Sequence, residues 1–472
     1  MASATLDKIQ ELEHKGVGRL LWQYALPAVV SQIIASVYNM ADRAFIGHGV
    51  GVAAIAGLSI TMPVMNIVHA FGSLVGVGAS ARMSIVLGRK DYRWAENILG
   101  NSVLLTFLFG FLFVTSGYLF MDPILEIFGA SEETIGYARE YLMIVLPGMF
   151  MTTLTFNLTG LIRASGYPIK SMVILGGGAL LNMLLDPLFI FGFHWGIAGA
   201  AWATTISMSV TGVAAVWHFA KPSSFIRFRR HAWTPRGYIF RNILMIGLSP
   251  FLMNVAAAGV VGILNSQLLR YGADLAVGTY GVVNTYANLL VLVILGICQG
   301  MQPIAGYNYG AGHNDRLKQV YLLTMKVCVL VGLVGSLISC IMPAYMARLF
   351  TRDPALIEMA VPATRFLMVM FPLIGFTITN SNFFQSIDKP WIAIVTSLSR
   401  QVIFLVPLSY LVPLAFAQAG GHGLMGVWMA CTLSDVAGAA LAAMLLYHQR
   451  KVFQPGHVPE PPRMVKEAGP KD

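Results

Sequence analysis

The sequence predicts an all-α, polytopic membrane protein with twelve transmembrane helices. Only 11% of its 472 residues are charged, 56% are hydrophobic, and the mean hydropathy is +0.69. A soluble domain carries about 25% charged residues, so this chain has too little polar surface to face water. Apolar segments close to the roughly 20 residues that cross a bilayer as a helix recur along the chain. Barrel strands would be shorter and would alternate in hydrophobicity, so helices are predicted.

The predicted spans form two sets of six. The first set covers roughly residues 20–47, 54–80, 97–121, 138–161, 168–192 and 197–219. The second set covers roughly residues 242–269, 276–301, 317–341, 355–383, 390–416 and 422–447. The longest connection lies between the sets and predicts a boundary between two lobes. The expected units are an N-terminal segment 1–19, an N-lobe 20–219, a loop 220–241, a C-lobe 242–447, and a tail 448–472 that is predicted to be disordered because proline and charge are frequent in it.

The two halves share sequence patterns that indicate a duplication. ALPAVV around Pro27 matches LSPFLM around Pro250, and GIAGAAWATTIS from Gly196 matches GLMGVWMACTLS from Gly423. Six spans in each half give both lobes the same orientation. We therefore expect a pseudo-two-fold axis along the membrane normal, an arrangement common in transporters, whose sites lie between the repeats.

The distribution of basic loops predicts the orientation in the membrane, because positively charged loops remain in the cytoplasm. Acidic or short loops on one side contain residues such as Asp122 and Glu126. The connections on the other side contain Arg82, Arg89, Lys90, Arg93, Lys170, Lys221, Arg227, Arg229, Arg230, Arg236, Arg241, Arg316, Lys318, Lys389, Arg450 and Lys451. Both termini are therefore predicted to be cytoplasmic, in a multi-pass protein of the cytoplasmic (inner) membrane. The net charge of +10 is explained by these loops, and nucleic acid is not an expected partner.

Two carboxylates within apolar spans are the strongest candidate functional residues. Asp42 lies five residues before the outer end of span one, and Asp186 lies six before that of span five. Thr204 lies seven residues after the outer start of span six. A helix rises about 1.5 Å per residue, which places all three roughly 7–11 Å below the external surface. Asn182 precedes Asp186 by four residues, so both project from one helical face.

These residue types leave several interpretations open. Two carboxylates, an amide oxygen and a hydroxyl at one depth could bind Na⁺ as a hard-oxygen site. They could instead bind protons, because two nearby carboxylates in a low dielectric repel each other when both are ionised. A purely structural alternative is that Asp186 hydrogen-bonds a helix terminus before Pro187 while Asp42 pairs with Arg43.

The second half does not repeat this chemistry. At the repeat offset Asp42 corresponds to Asn265, and Asp186 falls near Val412. Ion coupling is therefore expected in the N-lobe. Arg400 and Asp435 lie at similar depths in the last two spans. A buried ion pair is the simpler interpretation, and a role for Asp435 in contacting substrate or carrying protons is the alternative.

Lys326 lies at a comparable height and could join Arg400 and Asp435. Pro27 is also noteworthy, because a proline inside a helix removes a backbone hydrogen bond and bends the segment. Pro27 shares its predicted helix with Asp42. Neutralisation of Asp42 could therefore bias a bend at Pro27, and a static kink is the alternative.

Five segments of the chain are distinctive when taken together: ALPAVVSQIIASVYNMADRAFIGHG, LGRKDYRWA, GLIRASGYP, NMLLDPLFIF and WGIAGAAWATT. In combination they resemble the multidrug and toxic compound extrusion (MATE) transporters. The resemblance extends from about Gly18 to Tyr447. It implies two six-helix lobes that form a V around a central cavity and work by alternating access.

Within that family the chain is similar to the DinF-like branch. The branch has a kinkable proline, a first-helix aspartate and an Asn-x-x-x-Asp pair in the fifth helix, which correspond here to Pro27, Asp42, Asn182 and Asp186. A threonine of the same cation-binding cluster corresponds to Thr204. The NorM-like branch has a glutamate in its seventh helix. The matching span here has no acidic residue, so a C-lobe sodium site of that kind is not expected.

The resemblance implies a cation-coupled antiporter, driven by H⁺ or Na⁺, that exports amphiphilic and often cationic organic compounds. A flippase for lipid-linked precursors is the alternative. We expect no cofactor besides the coupling ion and no enzyme activity, since no HExxH or GxSxG motif is present. Small amphiphiles and membrane lipid are the expected partners of a monomer. Residues expected to line the substrate cavity are Tyr38, Asn157, Asn265, Arg400 and Asp435.

Overall fold

The computed structural model describes residues 11–222, 224–454 and 456, and over these residues its regular secondary structure is entirely helical. The first half contains α1 (Val17–Gly49), α2 (Val52–Gly88), α3 (Tyr92–Leu119), α4 (Met121–Ile127), α5 (Ile135–Ala164), α6 (Pro168–Pro187) and α7 (Gly196–Ala220). The second half contains α8 (Gly237–Gly310), α9 (Asn314–Ile341), α10 (Pro343–Arg348), α11 (Pro354–Met368), α12 (Phe371–Ser386), α13 (Pro390–Leu398), α14 (Val406–Gln418) and α15 (Gly423–His448). A π-helical turn Leu188–Gly192 extends α6, and another, Ser399–Leu405, joins α13 to α14.

The helix lengths agree with twelve spans. Ten helical segments of the described chain are long and apolar enough to cross a membrane, and α11 with α12, bent by 44°, forms an eleventh. One of the ten is α8, whose 74 residues would extend roughly 110 Å and so cross twice. Its backbone breaks at Ala273, where φ is 54° and ψ is −164°, in the predicted connection between spans seven and eight.

The two lobes meet where α1 and α2 pack against α8. At one end the backbones of α2 and α8 touch through a reciprocal pair of glycines. A Cβ on Gly88 would lie 2.1 Å from the carbonyl oxygen of Tyr307, and one on Gly310 would lie 2.0 Å from that of Ile85. Only glycine allows this approach. We call this end, which carries the loops around Arg89 and at the start of α9, the basic end.

Polar contacts at the basic end also join the lobes. Arg82 on α2 forms an ion pair with Asp388, which precedes α13. Glu13 accepts a hydrogen bond from the Tyr307 hydroxyl at 3.2 Å and forms an ion pair with Lys90 Nζ at 3.4 Å. Burial alone would raise the pKa of Glu13, but the Lys90 and Tyr307 hydrogen bonds outweigh it and hold that pKa below its ordinary value. The segment before α1 thus contacts both lobes.

Two regions predicted to be irregular are packed against helices. In the inter-lobe loop, Asn101 of α3 donates hydrogen bonds to the carbonyl oxygens of Ala232 and Thr234. The tail was predicted to be disordered from residue 448, but Arg450–Phe453 forms a 3-10 turn whose Phe453 ring stacks on that of Phe383 at 5.5 Å. The prediction was wrong there because two apolar residues, Val452 and Phe453, pack against the C-lobe. Residues 1–10, 455 and 457–472 lie outside the described residues.

Candidate functional site

Asp42 and Asp186 lie side by side in the N-lobe, far from the basic end. Asp42 on α1 is 7% exposed and Asp186 on α6 is 0% exposed. Their carboxyl groups are within hydrogen-bonding distance of each other. Two ionised carboxylates repel strongly in low-dielectric surroundings. The contact is therefore stable only when a proton or another cation offsets one of the charges.

Asn182 and Thr204 complete this cluster. When the Asn182 amide is oriented to satisfy both of its polar groups, its Nδ2 donates to Asp186 Oδ2 at 2.8 Å. Its oxygen then accepts from Thr204 Oγ1 at 3.2 Å and from the Thr204 backbone N–H at 3.1 Å. One helical turn separates Asn182 from Asp186 on α6, so the amide links the carboxylate to α7.

Two tyrosines enclose the cluster. The hydroxyl groups of Tyr38 on α1 and Tyr141 on α5 lie close to the Thr204 side chain. Tyr141 is 1% exposed and was not identified from the sequence. It lies six residues after the start of α5, a depth of roughly 9 Å. The depth argument used for Asp42 and Asp186 could therefore have found it if neutral hydroxyls on span four had been included.

Among the described residues, no basic side chain forms an ion pair with either carboxylate. Arg43 is exposed and directs its Nη2 to the sulfur of Met62 at 2.9 Å, and neither Asp42 nor Asp186 forms an ion pair within the described part of the chain. Oδ1 of each aspartate is buried and lacks a hydrogen-bond partner there. These two oxygens can accept a proton or ligate a small hard cation.

The cluster contains Asp42, Asn182, Asp186 and Thr204, the residues that were predicted to bind the coupling cation. The alternative in which Asp42 pairs with Arg43 requires an ion pair that the described residues do not form, since Arg43 Nη2 lies against Met62 instead. Among the described residues no group of three or more His, Cys, Asp or Glu side chains could hold a metal ion. A cation bound here would therefore use two carboxylates and neutral oxygens.

The residues expected to line a substrate cavity have different environments. Asn157 is 0% exposed, and its Nδ2 donates to the hydroxyls of Ser102 at 3.2 Å and Thr106 at 3.1 Å. It therefore joins α5 to α3 and has no cavity surface. Tyr38 on α1 and Asn265 on α8 are partly exposed.

Arg400 and Asp435 form an ion pair in the C-lobe. Arg400 Nη1 lies 3.4 Å from Asp435 Oδ1, and the side chains are 21% and 5% exposed. The α15 backbone approaches closely at Gly438, where a Cβ would lie 3.0 Å from that of Arg400. Lys326 on α9 is exposed and does not pair with Asp435 in the described chain. The simpler interpretation of these two charges therefore matches their geometry.

Pro27 lies inside α1, where the helix packs against the other lobe. Its carbonyl oxygen accepts a hydrogen bond from Ser31 Oγ at 2.8 Å. Two residues earlier, Ala25 packs so closely on α8 that a Cβ on Gly300 would lie 2.5 Å from the Ala25 Cα. Beyond the proline, a Cβ on Gly296 of α8 would lie 2.8 Å from the Val29 Cα. The contact with the C-lobe therefore spans Pro27, and the part of α1 that carries Asp42 begins after Val29.

Comparisons with known proteins agree with this architecture. The MatE family model matches residues 27–188 and again residues 250–411, with starts 223 residues apart. This double match confirms the predicted repeat. The chain is 25% identical over 444 residues to multidrug export protein MepA of Staphylococcus haemolyticus, covering 94% of this chain and 96% of that protein. It is 27% identical over 442 residues to MepA of Staphylococcus aureus, strain MRSA252, with the same coverage.

Solved structures show the same fold. A crystal structure of MATE in the straight conformation is 25% identical, with a TM-score of 0.86, and the match covers 94% of this chain and 98% of that one. A MOP superfamily transporter from Pyrococcus furiosus is 24% identical, with a TM-score of 0.86 and coverage of 94% and 97%. The chain therefore belongs to the MatE family and is a multi-pass membrane transporter, not an enzyme.

Proposed function

We propose that this transporter is a cation-coupled antiporter that exports amphiphilic, often cationic organic compounds. The contact between Asp42 and Asp186 carries the proposal. Ionisable groups inside a membrane are costly, and they are usually retained for ion or proton transport. The multidrug export for which the relatives are named supports the substrate class. Tyr38 and Asn265, which are partly exposed on helices of opposite lobes, are proposed to face the substrate path.

The geometry favours a proton as the coupling ion. Two carboxyl groups at hydrogen-bonding distance can share one proton directly, and the Asn182 amide nitrogen, in the orientation that satisfies both of its polar groups, donates to Asp186 Oδ2. Its amide oxygen is already engaged by Thr204. A sodium ion would instead need Asn182 to turn its oxygen towards the two aspartates. Asp42, Asn182, Asp186 and Thr204 would then be its ligands.

Pro27 gives the bound ion a way to influence the lobes. Asp42 lies 15 residues beyond Pro27 on the same helix, a distance of roughly 22 Å. Protonation changes the partners of Asp42 while the Ala25 segment stays packed on α8. A bend at Pro27 can absorb that difference, because no N–H from the proline constrains the preceding turn. A bound ion shifts the equilibrium between straight and bent α1 only by the difference in its affinity for the two conformations.

The lobe contact at the basic end corresponds to a state closed on that side. Placing the basic loops in the cytoplasm makes this conformation closed to the cytoplasm, with both termini cytoplasmic in the cytoplasmic membrane. Protons would then reach Asp42 and Asp186 from outside and favour release of substrate. We expect the protein to act as a monomer and to need no cofactor.

Transport by purified protein tests this function. Wild type, Asp186→Asn and Asp42→Asn are reconstituted in liposomes, and accumulation of ethidium is followed while a pH gradient or a sodium gradient is imposed separately. Asp122→Asn is the matched control, because Asp122 is partly exposed and pairs with Arg139 outside the cluster. We expect transport driven by the pH gradient, at least about tenfold slower in both cluster variants and unchanged in the control.

Each other outcome is informative. If only the sodium gradient drives transport, and both cluster variants lose that transport, the cluster remains the coupling site but its ion is Na⁺ and not H⁺. Gradient-driven transport that survives both Asp42→Asn and Asp186→Asn would remove the N-lobe cluster from coupling. Absence of gradient-driven transport in folded wild type, for ethidium and for anionic and neutral amphiphiles alike, would contradict the antiporter proposal.

A further inference from the structure

A cavity of about 450 Å³ lies between α6 and α7 at the basic end. The first turn of α6 contributes Tyr167 and Lys170 to its wall, and the last turn of α7 contributes Trp217 and His218, followed by Lys221. It lies at the opposite end of these two helices from Asp186 and Thr204. The coupling cluster does not use any of these residues.

Two lysine ammonium groups are held at this cavity by aromatic rings. Lys170 Nζ lies 4.3 Å from the centroid of the Tyr167 ring, and Lys221 Nζ lies 4.2 Å from that of Trp217. Contacts of this kind orient a cation without neutralising its charge. The Tyr167 ring in turn packs edge-on against the His218 ring at 5.1 Å. The aromatic groups thus connect the two helices and keep both positive charges beside one cavity.

The remaining lining favours an anion. As far as the described residues form it, the wall contains no carboxylate. The cavity also includes the N-terminal turn of α6, which begins at Pro168. The first N–H groups of a helix and its dipole attract negative charge, phosphate in particular. The two ammonium groups and the helix N-terminus therefore all favour the binding of an anion in this cavity.

The cavity borders an apolar, exposed surface. Ile169 is 56% exposed, Val173 is 60% exposed, and Trp217 is 62% exposed. Val173 lies one turn beyond Lys170 on α6, roughly 5 Å deeper in the membrane. A ligand with a phosphate at the level of the lysines and hydrocarbon at the level of Val173 would match both surfaces.

We propose that this cavity binds the headgroup of an anionic phospholipid of the cytoplasmic leaflet, with its phosphate between Lys170 and Lys221 and its acyl chains along Ile169 and Val173. Basic pockets between transmembrane helices on the cytoplasmic side are suited to such headgroups. The bound lipid bridges α6 and α7 and so stabilises the pair of helices that positions Asp186 and Thr204. The proposal goes beyond antiport and does not depend on which ion or substrate is transported.

Native mass spectrometry of the detergent-solubilised full chain measures this binding directly. Wild type is titrated with phosphatidylglycerol and, separately, with phosphatidylcholine of the same acyl chains. The test variant is Lys170→Gln/Lys221→Gln. The matched control is Lys318→Gln/Lys451→Gln, which removes two exposed lysines outside the cavity. A third variant, Lys170→Arg/Lys221→Arg, keeps both charges, and elution on size exclusion verifies that each variant is folded.

We expect wild type to prefer phosphatidylglycerol, and the glutamine variant to bind it about 25-fold more weakly, which corresponds to the loss of two lysines near a headgroup. The control and the arginine variant should bind as wild type does. Equal affinity of wild type and the glutamine variant for phosphatidylglycerol would overturn the proposal. Displacement of the lipid by millimolar inorganic phosphate would also overturn it, because the site would then bind free phosphate. Because lipid binding is measured without any transport assay, a negative result would contradict the lipid site alone and would leave the antiporter proposal unaffected.

Discussion

Asp42 on α1 and Asp186 on α6 lie within hydrogen-bonding distance of each other, and neither forms an ion pair with a described residue. In the C-lobe, by contrast, Asp435 lies 3.4 Å from Arg400. The C-lobe pair is neutral as a whole and has little tendency to bind a further cation. The N-lobe pair carries one or two negative charges, depending on whether a cation is bound. Lobes that arose from one repeated sequence therefore differ in what their buried charges can do.

Thr204 connects the two carboxylates to their surroundings, because its hydroxyl hydrogen-bonds to Asn182 and lies close to Tyr38 and Tyr141. Replacing it with valine keeps the shape and removes the hydrogen bond to Asn182. A hydrogen bond contributes about 1 kcal/mol, so we expect Thr204→Val to slow proton-driven ethidium transport by about fivefold or more. Transport in proteoliposomes is the measurement.

The neighbouring residue gives the control for that substitution. Thr205 Oγ1 donates to the Ile144 carbonyl oxygen at 2.9 Å, outside the cluster. Thr205→Val should therefore leave coupling unchanged. If both valine variants transport equally well, Thr204 has no special part in ion binding.

Pro27 is expected to permit a bend in α1 during transport. Pro27→Ala restores a backbone hydrogen bond and stiffens the helix, because proline is about 3 kcal/mol less favourable than alanine in a helix interior. We expect gradient-driven transport to fall at least about fivefold while thermal stability is equal or higher. The two measurements are ethidium transport and thermal unfolding in detergent.

The repeat supplies a matched control, Pro250→Ala, because Pro250 is the corresponding proline in the C-lobe. The C-lobe helix that contains it bears Asn265 where α1 bears Asp42. Pro250→Ala should reduce transport less. Equal losses in both variants would mean that the prolines serve packing or general flexibility and not the response to Asp42.

Glu13 stabilises the closed basic end by contacting Lys90 and Tyr307. Because its folded pKa is lowered from the ordinary 4.5, its contribution is complete above that value and is lost as the pH falls through the lowered pKa. Closure should therefore be insensitive to Glu13 titration between about pH 6 and 8. Glu13→Gln should weaken closure at neutral pH by less than about 1 kcal/mol, a several-fold rise in the open fraction at most.

Double electron–electron resonance measures this effect. Spin labels are placed at exposed Arg93 and Lys318, one in each lobe, in a cysteine-free background. Glu13→Gln should increase the population with the longer distance at pH 7. Glu132→Gln, in an exposed loop before α5, is the control. An unchanged distance distribution in Glu13→Gln would show that the segment before α1 does not hold the lobes together.

The sequence was sufficient to predict the fold class and the main cluster. Depth along a helix follows from counting residues, so Asp42, Asp186 and Thr204 could be placed together before any coordinates were known. Tyr141 was not predicted to belong to the cluster, because a tyrosine in an apolar span is compatible with either packing or hydrogen bonding. Asn157 was expected at a cavity because of the family resemblance, but it bonds to Ser102 and Thr106. Hydropathy could not have corrected this, because it does not show which side of a helix a neutral polar group faces.

Long-range packing accounts for the remaining differences. The contact of Phe453 with Phe383 joins residues distant in sequence, and local composition around Phe453 favours disorder. The Glu13 contacts are also between residues distant in sequence. A short charged segment gives no indication of which parts of the chain it will contact. The cavity at Lys170 and Lys221 depends on how α6 and α7 pack, which spacing along the chain does not determine.

The Arg400–Asp435 pair is expected to be structural, and a charge-free replacement tests this. Removing one partner leaves a buried charge unpaired, which typically costs about 3 kcal/mol or more, whereas replacing both with apolar residues is often neutral. Asp435→Leu and Arg400→Met should each lower the thermal unfolding temperature clearly, Arg400→Met more because Asp435 is the more buried partner. The double variant should recover most of that loss.

Transport by the double variant then separates stability from function. If the pair only holds the turn Ser399–Leu405 against α15, the folded Arg400→Met/Asp435→Leu protein should transport ethidium within about twofold of wild type, because we propose that coupling resides at Asp42 and Asp186. A double variant with wild-type thermal stability but no transport would instead assign Asp435 to substrate or proton movement. The buried C-lobe carboxylate would then be a second functional charge, in spite of its ion pair.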